Sequence, residues 1–264
     1  MKILILGGTT EASALAGALA ERSIPGLFSY AGRVATPKPQ PLPTRVGGFG
    51  GVAGLAEFLA EHGITHLVDA THPFAERISQ NAVAAARLAG IPLIALTRPP
   101  WVPQAGDNWT SVANIEAAVA ALSGPPERIL LAIGRQHLAA FAARPRHHYL
   151  LRLVDAPEAP PPLPRHRVVL DRGPFTLAGD LALLREHGIQ RIICKNAGGS
   201  GAIAKLTAAR ELGLPVVMIE RPALPERREV HSVEAVITWL AHESAPEPDS
   251  ESAPESDPRT DRGV

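Results

Sequence analysis

The 264-residue chain is 45% hydrophobic and 20% charged, with a formal net charge of zero, the composition of a soluble globular protein. No apolar run reaches the length of a membrane span, and a single cysteine, Cys194, excludes an intramolecular disulfide. The zero charge is uneven: residues 243–264 hold seven acids and two bases, which leaves 24 basic and 19 acidic residues, a net of +5, in the body. A body of that sign favours an anionic ligand, and the Pro/Ser/Glu/Asp-rich tail has nothing to bury and is expected to be disordered.

The first strand pattern begins at residue 2, so no signal peptide is expected and the cytoplasm is the expected compartment. That strand, Ile3 to Leu6, breaks into Gly7-Gly8-Thr9-Thr10-Glu11 and opens a helix. A buried parallel strand followed by a small-residue turn puts backbone N–H groups at a helix N-terminus, where a phosphate can sit. The spacing is not Gly-x-Gly-x-x-Gly, so a plain tight turn stays open as the alternative. Strand signals lie near residues 2–6, 27–30, 44–46, 66–70 and 92–97. Between them, Ala12, Leu15, Ala16 and Leu19 share one helical face, as do Val52, Leu55, Ala56 and Leu59 before Gly63. A third helix is expected from about Phe74 to Leu88, ending at Gly90. This alternation predicts a doubly wound parallel sheet.

The second half repeats the first. Glu61-His62-Gly63-Ile64 recurs as Glu186-His187-Gly188-Ile189, Gly90-Ile91-Pro92 as Gly213-Leu214-Pro215, Ile3 to Gly8 as Ile129 to Gly134, and Ser111-Val112 as Ser232-Val233. An offset held near 120–126 residues predicts two related α/β domains, 1–124 and 125–242, with 243–264 as a tail. The Pro-rich pieces 37–43 and 157–164 read as stiff surface loops, one per domain.

In such sheets ligands bind outside the carboxyl ends of the strands. Gly7, Gly8, Thr9, Thr10 and Glu11 lie there, with Gly48 after the third strand and Thr71 and His72 after the fourth. Arg33 follows the second strand, about 25 residues after Gly8, where a dinucleotide site places an acid for NAD or an Arg for the 2′-phosphate of NADP. No acid is near, while Arg33, Lys38 and Arg45 are, so NADP is expected over NAD. His72 either binds the nicotinamide ribose, passes a proton, or is structural, and Asp69 is expected to fix its loop by accepting backbone hydrogen bonds. Lys195 and the glycines after it form either an anion-binding nest or a plain helix-opening turn. Cys194 reads as inert packing. No zinc spacing, Gly-x-Ser-x-Gly elbow or Walker lysine is present, and scarce aromatics with no basic stripe argue against nucleic acid.

Taken together, Leu6 to Ala12, Tyr30 to Arg33, Arg45 to Gly51, Asp69 to Ala75, Gly134-Arg135-Gln136, Arg172 to Phe175 and Lys195 to Gly199 resemble the serial motifs of the precorrin-6A reductases of cobalamin biosynthesis, over residues 1 to about 240. The resemblance implies two Rossmann-like domains with parallel sheets and an active-site cleft between them. It implies NADPH-dependent reduction of a metal-free tetrapyrrole to precorrin-6B, with hydride added to one ring carbon and a proton to its neighbour, and no metal, membrane or nucleic-acid partner. His72 and Lys195 become the catalytic candidates. The carboxylates of that substrate give Arg98, Arg135, Arg172, Lys195, Lys205 and Arg221, with Gln136 beside them, a reason to line the cleft. Reduction of a cobalt-containing ring, or nucleotide binding by a regulator without turnover, are the alternatives.

Overall fold

The computed structural model describes residues 1–32, 38–157 and 159–243, and the expected acidic tail beyond 243, like Arg33, lies outside them. The first part of the chain forms β1 (Ile3–Leu6), α1 (Thr10–Glu21), β2 (Gly26–Tyr30), β3 (Thr44–Val46), α2 (Val52–Glu61), β4 (His66–Asp69), α3 (Glu76–Ala89) and β5 (Leu93–Leu96). Next come β6 (Trp109–Val112), α4 (Ile115–Ala120), β7 (Arg128–Ala132), a 3-10 segment (Arg135–Ala143), β8 (His148–Leu153) and β9 (His166–Leu170). The chain continues with α5 (Leu177–Glu186), β10 (Arg191–Lys195), α6 (Ala204–Glu211), β11 (Val216–Ile219), β12 (Arg228–Val230) and α7 (Val233–Glu243). No helix among the described residues is long and apolar enough to cross a membrane.

Local chemistry explains these elements. All four residues of β1 are buried, as a central parallel strand covered on both faces requires. The stripe Ala12, Leu15, Ala16, Leu19 is the buried face of α1. Thr9 caps that helix: its Oγ1 accepts the Ala12 N–H at 3.1 Å and donates to the Ala70 carbonyl at 2.8 Å, tying the β1 turn to the end of β4. Gly63 and Gly188, at φ 58° and 56°, end α2 and α5 in the same left-handed turn. Each Pro-rich loop proves to be anchored, burying one leucine, Leu42 or Leu163, in its core.

The strands make two parallel sheets, ordered β12-β5-β4-β1-β2-β3 and β6-β11-β10-β7-β8-β9. If β7–β11 are taken as the repeat of β1–β5, both sheets share one order, and each receives its sixth strand from the other half of the chain. β12 pairs with β5, Arg228 against Ile94, and β6 pairs with β11, Trp109 against Val216. The sheets therefore do not divide at 124/125. The helices follow their strands: Val236, Trp239 and Leu240 of α7 join the core of Ile3, Ile5, Leu15 and Phe28, and Ala118 of α4 joins that of Ile129, Phe141 and Tyr149. Burial of those faces sets the partition, which a linear repeat does not encode. The expected pairing of Ser111 with Ser232 is also shifted. Ser111 lies within β6, whereas Ser232 Oγ accepts the Ala235 N–H at 3.2 Å as a helix cap; its counterpart is Asn114, which accepts the Ala117 N–H at 2.8 Å.

Candidate functional site at the strand ends of the first sheet

A cavity of about 630 Å³ runs across the carboxyl ends of β1, β2, β3 and β4. Its wall is rich in glycine: Gly7 and Gly8 after β1, Gly32 after β2, and Gly47, Gly48, Gly50 and Gly51 between β3 and α2. Gly7 is required by packing, since a Cβ there would lie 2.2 Å from the buried Phe28 ring, whereas Gly8, with open space around it, holds φ at 116°. Thr71 and His72 line the cavity, as do Arg77, Ile78 and Asn81 of α3, which the sequence reading did not single out. Thr9, Thr10 and Glu11 stand beside it, at the start of α1 rather than in the wall.

The loops around the cavity are fixed by side chains. Arg45 donates to Ser29 Oγ at 2.9 Å and to the carbonyls of Gly47 and Gly48 at 3.0 Å each, with its guanidinium 3.9 Å above the Phe49 ring. It thus stiffens the glycine loop, and burial lowers its pKa. Asp69 accepts the Thr71 N–H at 3.1 Å and its hydroxyl at 2.7 Å, as expected of a loop-fixing acid. It also pairs with Arg227, a partner 158 residues away with no local signal in the sequence. His72 is exposed, and its Nδ1 accepts the Phe74 N–H at 3.2 Å, so the proton of the neutral ring belongs on Nε2.

The second domain meets the first at this loop. Phe74 packs against the apolar cluster of the second sheet, and Lys195 Nζ, at the end of β10, lies 4.9 Å from its ring centre. This juxtaposition brings the His72 loop and Lys195 together across the two domains. The expected cations of the cleft divide into different environments. Arg98 pairs with Glu11, Nε to Oε1 at 3.5 Å, although the two were expected on different ligands. Arg221 donates to the carbonyls of Asn196 and Ala197 at 3.0 and 3.3 Å, and burial lowers its pKa. Arg172 is exposed beside Asp155 at 3.3 Å. Arg135 and Gln136 open the 3-10 segment after β7 and are exposed there.

Lys205 departs most from expectation. It is 5% exposed, donates to the Ala202 carbonyl at 2.6 Å and lies 4.6 Å from the Trp101 ring centre, so it belongs to the interior of the second domain and not to an open cleft. Burial lowers its pKa and raises that of the fully buried Cys194. The glycines after Lys195 also have a structural task. A Cβ on Gly198 would fall 2.2 Å from the Pro99 carbonyl oxygen, and one on Gly199 2.4 Å from Arg98 Cδ. Two N–H groups of the expected nest, those of Asn196 and Ala197, are engaged by the carbonyls of Ile219 and Lys195. The Asn196 side chain meanwhile exchanges hydrogen bonds with both the N–H and the carbonyl of Trp101, at 2.8 and 3.0 Å.

Comparison with known proteins agrees with this architecture. The family profile described as "Precorrin-6x reductase CbiJ/CobK" matches residues 2–241. The precorrin-6A reductase of Rhodobacter capsulatus is 57% identical over 244 residues, covering 92% of this chain and 97% of the relative. That of Mycobacterium tuberculosis (strain H37Rv) is 43% identical over 241 residues, covering 91% and 97%, and the cobalt-precorrin-6A reductase of Priestia megaterium is 32% identical over 207, covering 72% and 78%. A solved structure described as "CobK precorrin-6A reductase" superposes with a TM-score of 0.89 at 57% identity, covering 93% of this chain and 98% of that one. The chain therefore belongs to the precorrin-6x reductase family, oxidoreductases of cobalamin biosynthesis.

Proposed function

We propose that this chain uses NADPH to reduce the metal-free precorrin-6A macrocycle to precorrin-6B in the cytoplasm, in a cleft bounded by both domains. The observation that carries the reading is the cavity over β1–β4: its wall is rich in glycine and, among the described residues, contains no Asp or Glu, which suits a bound dinucleotide phosphate. The residues fit such a group. Gly8, with open space where a Cβ would stand, allows close approach, and the Thr9 side chain takes only the Ala12 N–H of the α1 turn, leaving earlier N–H groups for a phosphate. Gly47, Gly48 and Gly50 would border it, held in shape by Arg45.

When bound, the nicotinamide supplies a hydride for a ring carbon of the substrate. The chain's own residues align the reactants and exclude water. His72, held through Nδ1, presents a proton at Nε2, and Lys195 Nζ lies 4.9 Å from the centre of the Phe74 ring beside it; these are the candidates for protonating the neighbouring carbon. Arg135 and Arg172 would meet substrate carboxylates at the rim of the cleft.

The test is turnover by the purified chain. NADPH absorbance should fall when metal-free precorrin-6A is added, with one reduced macrocycle formed per NADPH consumed. Binding without consumption would mark a regulator instead. The similarity to the Priestia megaterium protein favours one second reading, reduction of the cobalt-containing ring, and faster turnover of the cobalt-loaded substrate would establish it.

A further inference from the structure

We propose that Arg77, in the first turn of α3, is a phosphate-binding residue of the cavity and takes a phosphate of the dinucleotide, an assignment that rests on the nucleotide reading above. Arg77 lines the cavity, where among the described residues of the wall His72 is the other basic one and none is acidic. Three arginines around the strand ends are tied to the protein: Arg45 to Ser29, Gly47 and Gly48, Arg98 to Glu11, and Arg227 to Asp69 and Glu229. Among the described residues no hydrogen bond, ion pair or ring contact engages the Arg77 side chain, which is exposed. Its neighbour Glu76 accepts instead from Gln80 at 3.0 Å.

Its position on the helix is also electrostatically unfavourable for the protein alone. The first turn of a helix carries partial positive charge and favours acids, yet Arg77 sits in that turn, and the N-cap residue Ala75 makes no side-chain cap. Glu76 is the acid of that turn, while Arg77 faces the cavity, whose described lining holds no acid, so an anion brought in by a ligand would complement it. A guanidinium matches the paired oxygens of a phosphate, and Asn81, one turn further along the same helix, lines the same cavity with an amide.

Calorimetric titration of NADP⁺ and of NAD⁺ into the full chain tests this, using wild type, Arg77→Ala, Arg77→Lys and, as a control, Arg87→Ala in the exposed last turn of α3. Because Arg77 is exposed and makes no internal bond, the variants should melt with wild type. Arg77→Ala should weaken NADP⁺ binding roughly 10–100-fold, the size expected for a lost charged hydrogen bond, with Arg77→Lys between the two and Arg87→Ala unchanged. A loss confined to NADP⁺ identifies the 2′-phosphate as the partner; an equal loss for NAD⁺ identifies the pyrophosphate. Unchanged affinity for both in Arg77→Ala overturns the assignment while leaving the nucleotide reading intact, and failure of the wild type to bind either dinucleotide overturns both.

Discussion

Gly7 and Gly8 are neighbours held to glycine by different forces. At Gly7 the obstacle is a fully buried aromatic ring, and at Gly8 it is backbone conformation alone. Gly7→Ala should therefore lower stability by about 1–3 kcal/mol, the cost of overpacking a core, and weaken NADP⁺ binding because the β1 turn must shift. Gly8→Ala should cost less stability, about 1 kcal/mol of backbone strain. Thermal melts and dinucleotide titrations of the two variants check the contrast. Lys205 carries a second prediction. Its folded pKa is lowered by burial, so between that value and the ordinary lysine value the unfolded chain binds more protons, and stability rises with pH across that window. Lys205→Met removes the buried charge. It should abolish that rise, leave the chain as stable as wild type or more so at neutral pH, and leave KM for the tetrapyrrole unchanged. A large increase in KM would return Lys205 to the substrate site. Neither residue's constraint could be read locally: the Phe28 ring and the Trp101 ring reach them from 21 and 104 residues away.

At the scale of elements, hydrophobic periodicity was a sound guide because strands and helices bury faces set by their own repeat. The stripe of α1 and the terminating turns at Gly63 and Gly90 are where the pattern placed them. The loop from Asp69 to Phe74 was legible in part. Its residue types pointed to a site, but its attachment to Arg227 and to the second domain depends on contacts distant in the chain. Phe74 fastens that loop across the domain boundary. Phe74→Ala should destabilise the protein by about 1–3 kcal/mol, as expected for a half-buried ring. It should also reduce kcat for the tetrapyrrole while NADP⁺ affinity holds, since the cavity wall belongs to the first sheet. Phe74→Leu should recover most of both losses. Equal kcat in all three proteins would show that the Phe74 contact does not position His72 or Lys195.

For the whole molecule, the exchange of β6 and β12 makes each sheet depend on both halves of the chain. A fragment of residues 1–124 should fail to fold, because it carries β6 and α4 without their sheet and lacks β12 and α7. Ending the chain at residue 227 should be nearly as damaging: it bares the edge of β5 and removes Val236, Trp239 and Leu240 from the core. Deleting residues 244–264, a segment without large apolar side chains, should leave the melting temperature unaltered. Circular dichroism melts of the three truncations separate these outcomes, and an independently folded 1–124 fragment would contradict the exchange.

The sequence by itself determined the class of fold, the twofold repeat, the glycine turn after β1 and the family, because each is written in local periodicity, in turn chemistry or in motifs of fixed order. Only the tertiary structure decided which sheet receives each sixth strand, that Lys205 is interior, that Arg98 and Arg221 bind protein groups, and that α3 contributes Arg77 to the cavity wall. The reason is physical. A strand pattern specifies that a face must be buried but not against which partner, and a basic residue looks the same in sequence whether its charge is met by a neighbouring carbonyl, an acid or a ligand.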